Sequence, residues 1–168
     1  MRAQRAAYAT MHTLIIGYGS PIRGDDALGP LLADRIAEQV AGGGWTPDTD
    51  VQARHILTAE LVADLAQAAR VIFIDAAADT APGTLRTRQL HPDATALSTM
   101  AHFHDPRELL AWCEGLYGSA PEAWLVSVGG AAWDYGHFDL SPAVQAALPA
   151  ALDAVRALCI RQPASTHG

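Results

Sequence analysis

The chain has 168 residues, about the length of one ordinary domain, and half of its residues are apolar, which is enough for a sizeable core. Its formal net charge is −7 and it has no basic cluster, which argues against a nucleic-acid-binding protein. No apolar run is long enough for a membrane-spanning helix.

The two ends of the chain show no pattern of their own. Residues 1–11 lack the apolar stretch of a secretory signal peptide, so the sequence predicts a cytoplasmic protein. We expect 1–11 to be a flexible extension, 12–162 to form one domain, and 163–168 to be a C-terminal tail. The two cysteines, Cys113 and Cys159, lie far apart and outside any CxxC pattern, so we interpret them as small buried apolar residues.

Strand and helix patterns alternate along the domain. Apolar runs of strand length and apolar residues at helical spacing predict, in chain order, strand 12–18, helix 26–41, strand 50–57, helix 58–69, strand 70–77, edge strand 84–90, helix 105–118, strand 123–130 and helix 140–160. This alternation predicts an α/β fold, a three-layer sandwich. We expect a mostly parallel twisted sheet of about five strands with helices on both faces.

Polar features follow several of the predicted strands. The glycine loop 17–26 follows the first strand, Asp75 ends the apolar run "VIFID", and a pair of glycines ends the strand at 123–130. A further segment, "AHFHDP", precedes a helix and contains His102 and His104. Because ligands bind beyond the carboxyl ends of parallel strands, we expect these features to gather at one rim of the sheet.

The glycine loop does not fit a nucleotide site. "GYGSPIRG" is not the GxGxxG fingerprint, and its last glycine is not followed by the Lys-Ser/Thr pair of a phosphate-binding loop. The next residues, Asp25 and Asp26, would repel a phosphate. The common hydrolase templates are also missing, because Ser20 is followed by proline, no HExxH occurs, and neither cysteine has a histidine nearby.

A combination of carboxylate and imidazole groups remains. Asp26, Asp75 and either His102 or His104 would offer two oxygen ligands and one nitrogen ligand, which suits zinc, nickel, iron or manganese. Such a set leaves coordination positions open for a substrate or water. Simpler roles also stay open, since Asp25 and Asp26 can both favour a helix start and Asp75 can cap the turn after its strand.

The loop "GGAAWDYGHFD" holds two aromatic residues, Trp133 and Tyr135. They are either packing residues or a contact surface for a partner. Gly129 and Gly130 begin this loop, and their lack of a side chain could let a substrate backbone approach closely.

Taken in order, these motifs resemble those of the hydrogenase maturation endopeptidases. The first is "GYGSPIRGDDALG", with Ser20 where that family usually has asparagine. The second is the strand that ends in Asp75, and the third is "HFHDPRELL", which selects His102 over His104. The fourth is "SVGGAAWDYGHFDLSPAV", a strand, a glycine-bearing loop and the start of a long helix. The resemblance extends from residue 12 to about residue 160.

The resemblance implies an endopeptidase that removes the C-terminal extension of a nickel–iron hydrogenase large-subunit precursor after nickel insertion. The metal-contacting positions of the family fall on Asp26, Asp75 and His102, which makes Asp25 the helix-start residue. The nickel would be carried by the substrate, and we expect no tightly bound cofactor of the chain's own. Either Asp26 or Asp75 would activate water as a general base.

The same resemblance implies the partner. The glycines of the two loops would leave room for the substrate, at positions Gly19, Gly24, Gly129 and Gly130. We expect a monomer whose partner is the large-subunit precursor, with no nucleic-acid or membrane partner. Two other functions stay open: a small-molecule hydrolase with its own divalent metal, and a non-catalytic sensor of metallated hydrogenase.

Overall fold

The computed structural model describes residues 11–93, 95, 102–103 and 105–163, with backbone alone at 102–103. The strands of the described residues are β1 (Thr13–Tyr18), β2 (Thr49–Arg54), β3 (Leu57–Thr58), β4 (Arg70–Ala77), β5 (Leu85–Leu90), β6 (His102–Phe103) and β7 (Glu122–Gly129). A 3₁₀ helix (Gly24–Ala27) leads into α1, and the α-helices are α1 (Leu28–Ala41), α2 (Leu61–Gln67), α3 (Pro106–Tyr117) and α4 (Pro142–Cys159).

The main sheet confirms the predicted fold class. It contains five strands in the order β2–β1–β4–β7–β5. The pairs β1–β2, β1–β4 and β4–β7 are parallel, while the polar edge strand β5 is antiparallel to β7. Within the described residues, no helix is both long and apolar enough to cross a membrane.

The main error of the sequence prediction lies after β2. The predicted strand 50–57 is divided, because β2 ends at Arg54 and β3 pairs with β6 in a separate antiparallel ribbon. The following helix is shorter than the predicted 58–69, since α2 covers only Leu61–Gln67. The weak alternation of apolar and polar residues in this segment did not indicate that residues after Arg54 no longer belong to the main sheet.

The core has two halves, one on each face of the sheet. Side chains of a strand point alternately to the two faces. On β4, Ile72 and Ile74 join the cluster under α1 and α4, whereas Val71 and Phe73 join the cluster under α2 and α3. By this alternation Asp75 lies on the same face as Phe73, at the point where the side chains of β4 are no longer fully buried.

Helix α1 lies unusually close to β1, and two glycines make this possible. A Cβ atom on Gly29 would lie 2.3 Å from the Tyr18 carbonyl oxygen and 2.6 Å from that of Ile74. A Cβ atom on Gly17 would lie 2.0 Å from the Gly29 carbonyl oxygen. The close approach sets the position of the 3₁₀ helix that precedes α1.

Replacing Gly29 with alanine should therefore destabilise the fold by about 3 kcal/mol, because backbone atoms would have to move apart. The matched control is Gly115→Ala in α3, where an added Cβ meets nothing within 4 Å. At this exposed helical position the same change should raise the free energy of unfolding by about 0.5–1 kcal/mol. Denaturant unfolding measures both, and equal effects of the two substitutions would contradict the close contact.

Candidate functional site

Residues 19–26, which follow β1 and which we call the site loop, fold around the side chain of Asp26. The Asp26 carboxylate accepts a hydrogen bond from the Ser20 backbone N–H at 2.8 Å, and the Asp26 N–H donates to the Arg23 carbonyl at 3.2 Å. Gly19 has φ +143°, and a Cβ there would lie 2.0 Å from the Asp26 carbonyl oxygen. Because Ser20 uses its backbone N–H, this bond does not depend on having asparagine at that position.

Asp75 lies near the end of β4, two residues before Ala77, and is close enough to Asp26 for the two charges to interact. Its carboxylate accepts the Ala76 N–H at 2.8 Å and a hydrogen bond from the Tyr18 hydroxyl. Burial and the negative charge of Asp26 raise the pKa of Asp75 from 3.8 to about 7, although the two hydrogen bonds oppose that rise. The structure thus brings together the two carboxylates that the sequence singled out.

Tyr18 is a site residue that the sequence analysis missed. Its ring is buried and packs edge-on against Phe73, so in the sequence it reads as one more core residue of β1. Burial and the charge of Asp75 raise the pKa of the Tyr18 hydroxyl well above its ordinary value, so the hydroxyl is a hydrogen-bond donor. The register of the sheet places it at the site, because Gly17 pairs with Ile74 and Tyr18 therefore lies beside Asp75.

A cavity of about 260 Å³ opens beside Asp75, on the face of the sheet that α3 covers. Its polar lining includes Tyr18, Asp75, Arg86, Arg88, Asp105 and Ser127. Asp105 also accepts the Arg107 N–H at 2.9 Å and so caps α3. Burial raises the pKa of Asp105, but hydrogen bonds from Arg107 outweigh it and the pKa is lowered. Asp105 is therefore ionised at neutral pH.

The sequence suggested that Asp25 caps the start of its own helix, but in the structure its side chain does not do so. Its side chain is fully buried and accepts the N–H groups of Ala131 at 2.7 Å and Ala132 at 2.9 Å on one oxygen. The other oxygen accepts the Ser141 N–H at 2.7 Å, at the start of α4. Burial alone would raise the pKa of Asp25, but these donors prevail and lower it. Asp25 joins the site loop to the loop after β7.

The predicted substrate-binding glycines are all closely packed, three against backbone atoms and Gly130 against a side chain. Gly24 has φ +54°, and a Cβ there would lie 2.4 Å from a carbonyl oxygen of the loop after β7. A Cβ on Gly129 would lie 2.0 Å from the Ala81 carbonyl oxygen, and one on Gly130 would lie 2.5 Å from the Trp133 ring. Packing already requires a glycine at these positions, and their contact with substrate stays a prediction.

The predicted histidine ligand is described only in its backbone. His102 belongs to β6 and pairs with Thr58 of β3. The end of β2, which precedes β3, adjoins the site loop, since the Arg54 carbonyl accepts the Gly19 N–H at 3.0 Å. His104 lies outside the described residues. Among the described side chains no three His, Cys, Asp or Glu groups lie together, so the ligand set with His102 stays a prediction.

Solved structures of hydrogenase maturation proteases share this fold. The hydrogenase maturating endopeptidase HybD from E. coli matches with a TM-score of 0.68 and 22% identity, over 88% of this chain and 91% of that one. The hydrogenase 2 maturation peptidase from a Thaumarchaeota archaeon matches with a TM-score of 0.64 and 25% identity, over 89% and 99%. The NiFe hydrogenase maturation protease HycI from Thermococcus kodakarensis matches with a TM-score of 0.66 and 20% identity, over 95% and 99%.

No protein-family model matches the chain, and no curated protein matches it in sequence. The resemblance drawn from four short motifs is nevertheless confirmed by these structural neighbours, each named a hydrogenase maturation peptidase or protease. The chain has the fold of that family over nearly its whole described length.

Proposed function

We propose that the chain is a hydrogenase maturation endopeptidase that removes the C-terminal extension of a nickel–iron hydrogenase large-subunit precursor. The observation that carries this proposal is the carboxylate pair, Asp26 and Asp75, at the rim of a maturation-protease fold. Two carboxylates are held close enough to repel each other, which a fold tolerates at a functional site more readily than elsewhere. Cleavage follows nickel insertion, so the substrate arrives with its metal.

The donor groups fit a metal that the substrate already holds. Each carboxylate of the Asp26–Asp75 pair would gain from a nearby cation, because the cation would offset their mutual repulsion. His102 supplies the nitrogen ligand in this proposal. Neither described cysteine supplies a thiolate here: Cys113 is buried in the core under α2 and α3, and Cys159 ends α4. A site of two oxygens and one nitrogen holds free nickel weakly and adds ligands to nickel bound elsewhere.

Asp75 is the better placed of the two carboxylates to act as the general base. In the free protein the pKa of Asp75 is about 7, and a cation beside the carboxylate pair favours its ionised form, which can accept a proton from water and return it to the leaving amine. The Tyr18 hydroxyl and the Ala76 N–H both hydrogen-bond the Asp75 carboxylate and hold its orientation. Asp26, whose carboxylate already accepts the Ser20 N–H, serves as a metal-facing group.

The reaction needs these groups to act in sequence. The nickel-bearing segment of the precursor binds at Asp26, Asp75 and His102, which places the peptide bond beside the rim. Asp75 takes a proton from a water molecule, and the resulting hydroxide attacks the scissile carbonyl carbon. The same proton then passes to the nitrogen of the departing C-terminal peptide. Positioning by the metal takes the place of the covalent nucleophile that serine and cysteine peptidases use.

Nickel-loaded and nickel-free precursor should behave differently. We expect the C-terminal peptide to be released only from the nickel-loaded precursor, as measured by mass spectrometry of the products over time. His102→Ala should abolish release, whereas His104→Ala, a matched change two residues away, should retain it. Cleavage of nickel-free precursor at the same rate would contradict metal gating, and a reversed result for the two histidines would show that His104 is the ligand.

A further inference from the structure

Two loops beside the site present large apolar side chains to solvent. Ile22, in the site loop, is 46% exposed, while Tyr135 and Phe138, in the loop after β7, are each 72% exposed. Together with Arg23 we call these residues the rim patch. Exposed apolar side chains that collect beside a functional site mark a surface for another molecule.

The rim patch stands on a fixed backbone. The Gly136 N–H donates to the Ile22 carbonyl at 2.8 Å, and the Gly24 N–H donates to the His137 carbonyl at 2.9 Å. The buried carboxylate of Asp25 ties the base of the same two loops together. The apolar side chains are therefore held outward by an ordered, hydrogen-bonded pair of loops, which reduces the entropy lost when a partner binds.

Arg23 supplies a cation in the middle of this surface. Its guanidinium carbon lies 5.7 Å from the centre of the Trp133 ring and 5.5 Å from that of Tyr135, and its Nε–H donates to the Trp133 carbonyl at 3.0 Å. In the part of the chain that the structure describes, Arg23 forms no ion pair with a carboxylate. The aromatic rings thus fix the guanidinium while its two terminal nitrogens stay available, the geometry that binds a carboxylate with two hydrogen bonds.

We propose that the rim patch is the docking surface for the precursor, and that Arg23 binds a carboxylate of the precursor flanked by apolar side chains. The inference rests on the proposed function. It follows from continuity with the site, because the Arg23 carbonyl accepts the N–H of Asp26 and a segment seated on Arg23 leads directly to the carboxylate pair. It also follows from charge, because in a chain of net charge −7 the half-buried Arg23 offers a fixed cation that forms no ion pair within the described residues.

The test separates docking from chemistry by using steady-state kinetics with nickel-loaded precursor. Arg23→Glu should raise KM about tenfold while kcat changes less than about twofold, because the residue contacts the partner away from the cleaved bond. The KM of Arg23→Lys should lie between those of the unchanged chain and Arg23→Glu, since lysine keeps the charge and loses the paired hydrogen bonds. Tyr135→Ser and Phe138→Ser should each raise KM about threefold or more. Leu116→Ser, at a 65% exposed position on α3, is the matched control and should leave KM unchanged.

A binding measurement makes the result independent of turnover. In the inactive Asp75→Asn background, isothermal titration should show a Kd that rises with sodium chloride, and Arg23→Gln should flatten that salt dependence. Thermal unfolding of each variant identifies any that fail to fold. If Arg23→Glu fails to fold, Ile22→Ser takes its place, because the hydrogen bond of Ile22 to Gly136 uses only its backbone carbonyl. Unchanged KM and Kd in the folded variants would overturn the docking surface while leaving the proposed function intact. Failure of the unchanged chain to cleave the precursor would overturn both.

Discussion

Replacing Asp75 with asparagine should abolish precursor processing and at the same time stabilise the free protein at pH 8. The asparagine keeps the shape of the side chain, and its carbonyl oxygen can still accept the Tyr18 hydroxyl and the Ala76 N–H. It cannot take a proton from water, so we expect the rate of cleavage to fall by about 10²–10⁴-fold. Stability and activity therefore change in opposite directions at this position.

The sign of the stability change follows from proton linkage. Burial and the charge of Asp26 raise the pKa of Asp75 from 3.8 to about 7, so between these values the folded chain holds a proton that the unfolded chain has lost. The native Asp75 thus makes folding less favourable as pH rises through this window. One pKa unit corresponds to about 1.4 kcal/mol. After allowance for solvent screening, we expect Asp75→Asn to raise the free energy of unfolding by about 1–3 kcal/mol above pH 7 and to leave it almost unchanged at pH 4.

Urea unfolding at several pH values measures this effect, with processing of nickel-loaded precursor as the second readout. Asp34→Asn, at an exposed position of α1, is the control and should change neither quantity. An Asp75→Asn variant that is less stable than the native chain at pH 8 would show that the carboxylate is a favourable part of the fold. Undiminished cleavage by the variant would remove Asp75 as the general base.

Asp25→Ala should be among the most damaging single changes in the chain. The substitution leaves the buried N–H groups of Ala131, Ala132 and Ser141 without their acceptor. An unpaired buried donor costs about 1–3 kcal/mol, so we expect a loss of about 3–5 kcal/mol at neutral pH. Asp25→Asn keeps one acceptor oxygen and should lose less. Asp134→Ala, an exposed change in the same loop, should be close to neutral.

Acid should reveal the same contribution in the unchanged protein. Because hydrogen bonds lower the pKa of Asp25 below 3.8, its stabilising effect is fully present above that value and disappears as pH falls through the folded-state pKa. The difference between the native chain and Asp25→Ala should therefore be constant above about pH 5 and shrink in strong acid. A difference that is independent of pH down to the acid transition would mean that charge plays no part in this contact.

Particular residues show how far the sequence could lead. The run "RVIFIDAA" predicted β4 correctly, because four consecutive large apolar residues are typical of a buried strand in a chain whose strand and helix patterns alternate. Asp26 and Asp75 were predicted to lie at one rim because each comes near the carboxyl end of a parallel strand, and in the structure their charges interact, while their roles stay a prediction. Asp25 was misread, since an aspartate at a helix start has a local explanation whereas its true partners lie more than a hundred residues away.

Tyr18 illustrates a different limit. An apolar run ending in tyrosine fits a buried strand, and nothing in "LIIGY" reveals whether the hydroxyl meets solvent or a carboxylate. That knowledge requires the register between β1 and β4, which depends on how the whole sheet assembles. The division of 50–57 into β2 and β3 was hidden for the same reason, because β3 is defined by a partner strand that lies far along the chain.

The long-range hydrogen bonds of Asp25 also bear on protein synthesis. A growing chain that has not yet supplied residues 131–141 can contain β1, β4 and β7, yet it lacks the three donors that hold the site loop. Asp26 follows Asp25 directly and gains its final position only when that last part is in place. A nascent or truncated chain that ends before residue 141 therefore lacks the full set of contacts that hold the site loop in place.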